Sequence, residues 1–123
     1  MKDENVKQLV QGNAEAIVQK VKDADEPIHL DNVIFDTTDQ LFAYIVKHQL
    51  IDSYDEYDFS DTADDCLSII NLAIKEGSMD RVTIAEQNNP YAALANMAFF
   101  ALYGLLSAKV EEIAEINNVK LPW

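Results

Sequence analysis

Carboxylates are the residues of this chain best placed to do chemistry. Seven of the fourteen residues from Asp52 to Asp65 are acidic and none is basic. Aspartates recur there at every third place, as Asp52, Asp55, Asp58, Asp61 and Asp64, with Tyr54, Tyr57 and Phe59 interleaved. Such a stretch could hold a divalent cation or a cationic partner. A calcium loop of the EF-hand type needs oxygen ligands at alternating places, a central glycine and a terminal glutamate. This stretch contains no glycine and does not meet that pattern. A partner-binding face fits better, because crowded like charges repel until something of opposite sign meets them. Tyrosines among acids add rigid contact area to that charge. The expected contact set is Asp52, Tyr54, Asp55, Glu56, Tyr57, Asp58, Phe59 and Asp61. The plainer alternative is a solvated loop leading into a capped helix, where acids favour the N-terminal dipole. It accounts for Asp61, Asp64 and Asp65, and leaves Asp52, Asp55, Glu56 and Asp58 without a reason.

A second acidic group, Glu111, Glu112 and Glu115, is spaced E-E-x-x-E. Carboxylates at i, i+3 and i+4 share one face of a helix. The spacing resembles the magnesium-binding motif of the all-α nucleotide pyrophosphohydrolases, which implies a metal-dependent nucleotide hydrolase. That family carries a second acidic pair downstream on another helix. The eight residues after Glu115 carry no acid, so only Asp61 or Asp64, upstream, could stand in. The three glutamates are therefore read as a solvated helix face.

Other chemistry is thinly represented. His29 and His48 are too few and too far apart for a metal site or a nucleophilic triad. Cys66 is the sole cysteine and falls among apolar residues, so it is expected to be buried and inert. The three glycines, Gly12, Gly77 and Gly104, form no phosphate loop, and Arg81 is the sole arginine. No catalytic residue, cofactor or metal is expected.

The formal charge of −13 is unevenly placed. Residues 23–65 hold thirteen carboxylates against one cation, Lys47, and the other two thirds of the chain nearly balance. Such a charge repels nucleic acid and anionic membranes and draws in basic surfaces. The expected partner is a basic protein, with a nuclease as the leading candidate, and neither direct nucleic-acid nor membrane binding is expected. The first reading is an immunity-type inhibitor of a bacterial nuclease toxin. The others are a DNA-mimic inhibitor of a restriction or CRISPR-type nuclease, a metal-dependent all-α hydrolase, and a phage assembly or structural protein. A mimic should spread its charge over several base pairs, and the concentration in one segment favours the inhibitor. Lys2, Asp3 and Glu4 after Met1 do not resemble a secretory signal, so the cytoplasm is the expected compartment.

Hydrophobic periodicity supplies the elements that must carry these groups. Residues 1–123 are read as one all-α domain, a bundle of four main helices with a long apolar C-terminal helix at its centre. Apolar residues make up 49% of the chain, enough for one proper core. Val6, Leu9, Val10, Ala14, Ile17 and Val21 mark the first helix. Ile28 to Phe35 is expected to be a connector, extended or a single helical turn. Asp36, Thr37 or Thr38 then caps a second helix that runs to about Ile51. Ser60, Asp61 or Thr62 should cap a third helix, with Ala63, Cys66, Leu67, Ile70 and Ala73 or Ile74 inside and Gly77 as its stop. Ser78 to Glu86 is a short helix or a strand around Val82 and Ile84. Asn89 and Pro90 open the last helix, expected to reach Asn117.

No charge occurs between Glu86 and Lys109, a length that approaches a membrane span. Asn96, Gly104 and Ser107 interrupt it, so it is read as a buried helix with Leu94, Phe99, Phe100, Leu102 and Leu105 inside. Bulky residues recur there every third place, and small ones from Ala92 to Ser107 follow one place behind. The small side chains trace an oblique groove for a neighbouring helix. Packing within the chain is the favoured use of that groove and a homodimer seam the alternative, so a monomer or homodimer is expected.

Overall fold

The computed structural model describes residues 2–47, 59–78 and 90–122. They form α1 (Lys2–Asp23), α2 (Leu30–Lys47), α3 (Phe59–Lys75) and α4 (Pro90–Ile116), with no strand among the described residues. The helices pack on one another, and α4 touches all three of the others. At the standard rise its 27 residues span roughly 40 Å. No described helix is long and apolar enough to cross a membrane.

α1 buries the stripe that its periodicity marks, and α4 buries much of its own. In α1, Val6, Val10, Ala14, Ile17 and Val18 are buried, and Leu9 and Val21 pack against them. In α4, Ala98, Ala101, Leu102, Leu105, Leu106, Val110, Ile113 and Ala114 are buried, a band too broad for one neighbour to cover. That breadth places α4 at the centre. At Gly104 the small-residue groove is met from within the chain. A Cβ on Gly104 would lie 3.3 Å from the Ser78 carbonyl oxygen, so the end of α3 closes directly onto α4 there.

The start of α2 corrects the expectation. The helix begins at Leu30, so Asp36, Thr37 and Thr38 lie inside it rather than at its cap. The His29 carbonyl accepts the first bond, from the Val33 amide at 3.1 Å. Leu30, Ile34, Thr38 and Leu41 form one buried stripe. Burying each of Leu30 and Ile34 is worth about 1.5–3 kcal/mol, more than the ~1 kcal/mol of a cap. Thr38 is satisfied in place, its hydroxyl donating to the Ile34 carbonyl at 2.7 Å. The expected continuation to Ile51 lies outside the described residues.

Two further differences concern which side of a helix faces inward. α3 already includes Phe59, so Ser60, Asp61 and Thr62 belong to the helix. Its buried face is Cys66, Ile69, Ile70, Leu72 and Ala73, whereas Leu67 is 41% exposed. One residue is about 100° of helix, which carries Leu67 off the seam that Cys66 occupies. In α4, Leu102 and Leu105 are buried as expected, but Phe100 is 62% exposed. Two residues from Leu102, it stands nearly opposite the core. The side chain of Leu94 and the whole of the expected short element after Ser78 lie outside the described residues.

Both described helix ends that lead into turns use the same backbone device. After α3 the Ser78 amide bonds to Ala73 and the Gly77 amide to Ile74, with Gly77 at φ 78°. After α4 the Val119 amide bonds to Ala114 and the Asn118 amide to Glu115, with Asn118 at φ 57°. Each pair satisfies two terminal carbonyls, and glycine or asparagine supplies the left-handed residue it requires. Val119 then packs back on the core.

Packing at Leu102 and backbone conformation at Gly77 and Gly12 set measurable differences in unfolding free energy. Leu102→Ala should cost about 2–5 kcal/mol, as cavity-forming core truncations do. Gly77→Ala should cost about 1 kcal/mol, because its left-handed φ strains a Cβ. Gly12→Ala should instead stabilise by about 0.5–1 kcal/mol, since Gly12 lies inside α1 with open space where a Cβ would be. Urea titration of the three variants checks both signs. Equal effects for the two glycines would contradict the geometry.

Candidate functional site

The acid-rich third of the chain enters the described structure at the end of α1. Asp23, Asp25, Glu26, Asp31, Asp36 and Asp39 are all exposed. Gln19 donates to both carboxylate oxygens of Asp23 at 3.0 Å. Among the described residues no cation pairs with Asp25, Glu26, Asp31, Asp36 or Asp39. Burial of Leu30, Ile34, Thr38 and Leu41 turns the polar side of α2, with Asp31, Asp36 and Asp39, to solvent. Of the expected contact residues, Phe59 and Asp61 fall in the first turn of α3. Asp52, Tyr54, Asp55, Glu56, Tyr57 and Asp58 lie outside the described residues, as does His48.

The second acidic group lies in the last two turns of α4, and the side chains of Asp61 and Asp64 lie outside the described ones. Glu111, Glu112 and Glu115 are exposed, and Glu112 accepts from Lys109 at 2.9 Å, one helical turn away. Among the described residues no group of three or more His, Cys, Asp or Glu side chains could hold a metal ion. His29 is exposed beside the start of α2, and Cys66 is buried at 1% exposure within the core.

A cleft of about 530 Å³ opens between α1, the end of α3 and α4. Val10, Leu72 and Leu105 line its apolar side, and Lys7, Glu15, Glu76, Lys109 and Glu112 its polar side. Lys7 and Glu76 stand 3.5 Å apart, both well exposed. An exposed pair of this kind contributes little stability. With two lysines set against three glutamates, the cleft has no strong preference for either sign of ligand.

Periodicity does not reveal the aromatic edge between α2 and α4. Phe99 lies between Phe35 and Phe42, with ring centroids 5.2 and 5.8 Å away and edge-to-face geometry. Phe100 meets Phe99 at 5.6 Å, and Tyr103 lies 6.3 Å from Phe35. Phe35 and Phe100 are 48% and 62% exposed, so the cluster reaches solvent. The sequence signal is present but easily misread. The three-residue spacing of bulky side chains in α4 drifts around the helix and must carry some of them off the core.

Against known proteins, the chain matches no family model, no curated protein and no solved structure.

Acids left exposed and unpaired repel one another, and salt should relieve that repulsion. The melting temperature should therefore rise between about 0.01 M and about 0.15 M NaCl, where the screening length falls from about 30 Å to about 8 Å. Scanning calorimetry at the two salt concentrations measures this. A fall would mean that the carboxylates are held by attractive pairs.

Proposed function

We propose that this protein binds and blocks a basic protein, as an immunity-type inhibitor of a bacterial nuclease toxin would. The observation that carries the reading is the placement of charge. Thirteen carboxylates and one cation occupy residues 23–65, and the described acids at 23–39 face solvent. A solvated face needs no such imbalance, since interspersed lysines would keep it equally polar. A one-signed field accelerates encounter with an opposite surface and rejects wrong partners. A nuclease must present a cationic cleft to phosphates, and that cleft is the natural complement of this segment.

Concentration of the charge supports an inhibitor over a DNA mimic. Asp31 to Asp39 covers about 12 Å of α2. At about 3.4 Å per base pair that is under four base pairs of duplex. The other dense stretch, Asp52–Asp65, belongs to the same third of the chain.

The test replaces Asp55, Glu56, Asp58 and Asp61 together by their uncharged amides in the full chain, written D55N/E56Q/D58N/D61N. Wild type and variant are compared on a sensor surface against the basic protein that the wild type retains from a bacterial lysate. Wild-type association should slow steeply with added salt, and the variant should lose binding while keeping its helical circular dichroism. The retained protein should cut nucleic acid alone and stop cutting when the wild type is added. Unchanged affinity for the variant would contradict the reading.

A further inference from the structure

We propose that the aromatic edge between α2 and α4 is a second contact surface, which seats a cationic amphipathic helix of the partner. The inference rests on the reading above in one respect, that the partner is basic. The residues that carry it are on α2 and α4, and none belongs to the acidic stretch at Asp52–Asp65.

Exposed rings are common singly, but here they are joined. Phe100, Phe99 and Phe35 form a continuous edge-to-face series, and Phe42 and Tyr103 widen it on either side. Its two ends are exposed by about half or more, so the rings offer apolar area that the bundle does not cover. Apolar patches bordered by polar residues mark interaction sites. Linked aromatic rings make strong anchors, because they bury much area for little conformational entropy.

The charge at the border decides what can lie there. Asp31 and Asp39 stand one turn before and one turn after Phe35, on the same face of α2, and both are exposed. No cation pairs with either among the described residues. The α4 side contributes no charge of either sign before Lys109. Lys47, the one cation of α2, lies more than about three turns beyond Phe35. Among the described residues the surface is therefore apolar at its centre, with Asp31 and Asp39 as the charges at its α2 rim. A second copy of this chain would set Asp31 and Asp39 against their own images, at a repulsive cost that the charge of −13 increases. A helix with leucines or aromatics on one side and lysines or arginines beside them meets both features at once. An apolar ridge against rings, with cations reaching rim acids, is a recurrent mode of helix recognition.

The probe is a synthetic helical peptide of leucine and lysine in amphipathic register, with a control in which glutamate replaces every lysine. Binding is read by anisotropy of the labelled peptide. The host is the full chain already carrying D55N/E56Q/D58N/D61N, so that the acidic stretch adds little attraction of its own. That host should bind the lysine peptide and not the glutamate peptide. Adding Phe35→Ala and Phe100→Ala should weaken binding by about tenfold or more, the scale of anchor truncations. Adding Asp31→Asn and Asp39→Asn instead should weaken it and flatten its salt dependence. Phe100→Ala alone, at the most exposed ring, gives the same comparison if the double variant loses helicity. Binding unchanged by the phenylalanine variants would overturn the proposal. So would a concentration-dependent dimer in sedimentation that those variants abolish, because a second copy would then be the occupant. Either failure leaves the result for the acidic stretch standing, and loss of partner binding through the acidic stretch leaves this comparison intact.

Discussion

Burial of a broad face of α4 against all three other helices is the constraint on which the rest of this structure depends. Leu102, Leu106 and Val110 are wholly buried, and the helix touches each of the other three. A helix with so broad an apolar band cannot rest on one neighbour, so α1, α2 and α3 must each give it an apolar stripe. Gly104 lets the end of α3 approach to contact distance, which a larger residue would hold off. Once those stripes are committed inward, the polar residues of α1 and α2 can only face water. The exposed acidic surface is thus a consequence of the core as well as of composition.

Much of this was legible in the residues. Val6, Val10, Ala14 and Ile17 are buried as their spacing requires, and Gly77 ends its helix through the expected left-handed turn. Pro90 begins the last helix, and Ile116, one residue short of Asn117, is its last member. What could not be read locally were contests between a local preference and a long-range one. Asp36 and Thr37 are good capping residues, yet the burial of Leu30 and Ile34 extends the helix six residues upstream of Asp36. Leu67 and Phe100 are as apolar as their neighbours, and only the orientation of the packed helices turns them outward. Residue type alone cannot set that orientation.

The acidic character was plain from the sequence, and its placement was only half legible. The excess in residues 23–65 was countable, whereas the exposure of Asp31, Asp36 and Asp39 together depended on where α2 begins. With the helix starting at Leu30, Asp31 and Asp39 come to flank Phe35, and the aromatic edge acquires its negative border. Starting the helix after Asp36 would have put Phe35 in the connector, and the border would not exist.

On the proposed reading, the carboxylates of residues 23–65 meet the cations of a basic partner, while those of the final helix serve only as a solvated face. Zero-length carbodiimide cross-linking joins a carboxylate to a lysine only where the two are in contact. Applied to the wild-type chain in a bacterial lysate, with the joined peptides identified by mass spectrometry, it reports which acids lie at the interface. Cross-links to the partner should come from the carboxylates between Asp23 and Asp65 and be lost progressively as salt is added. Cross-links concentrated at Glu111, Glu112 and Glu115, or spread evenly over all the acids, would contradict it.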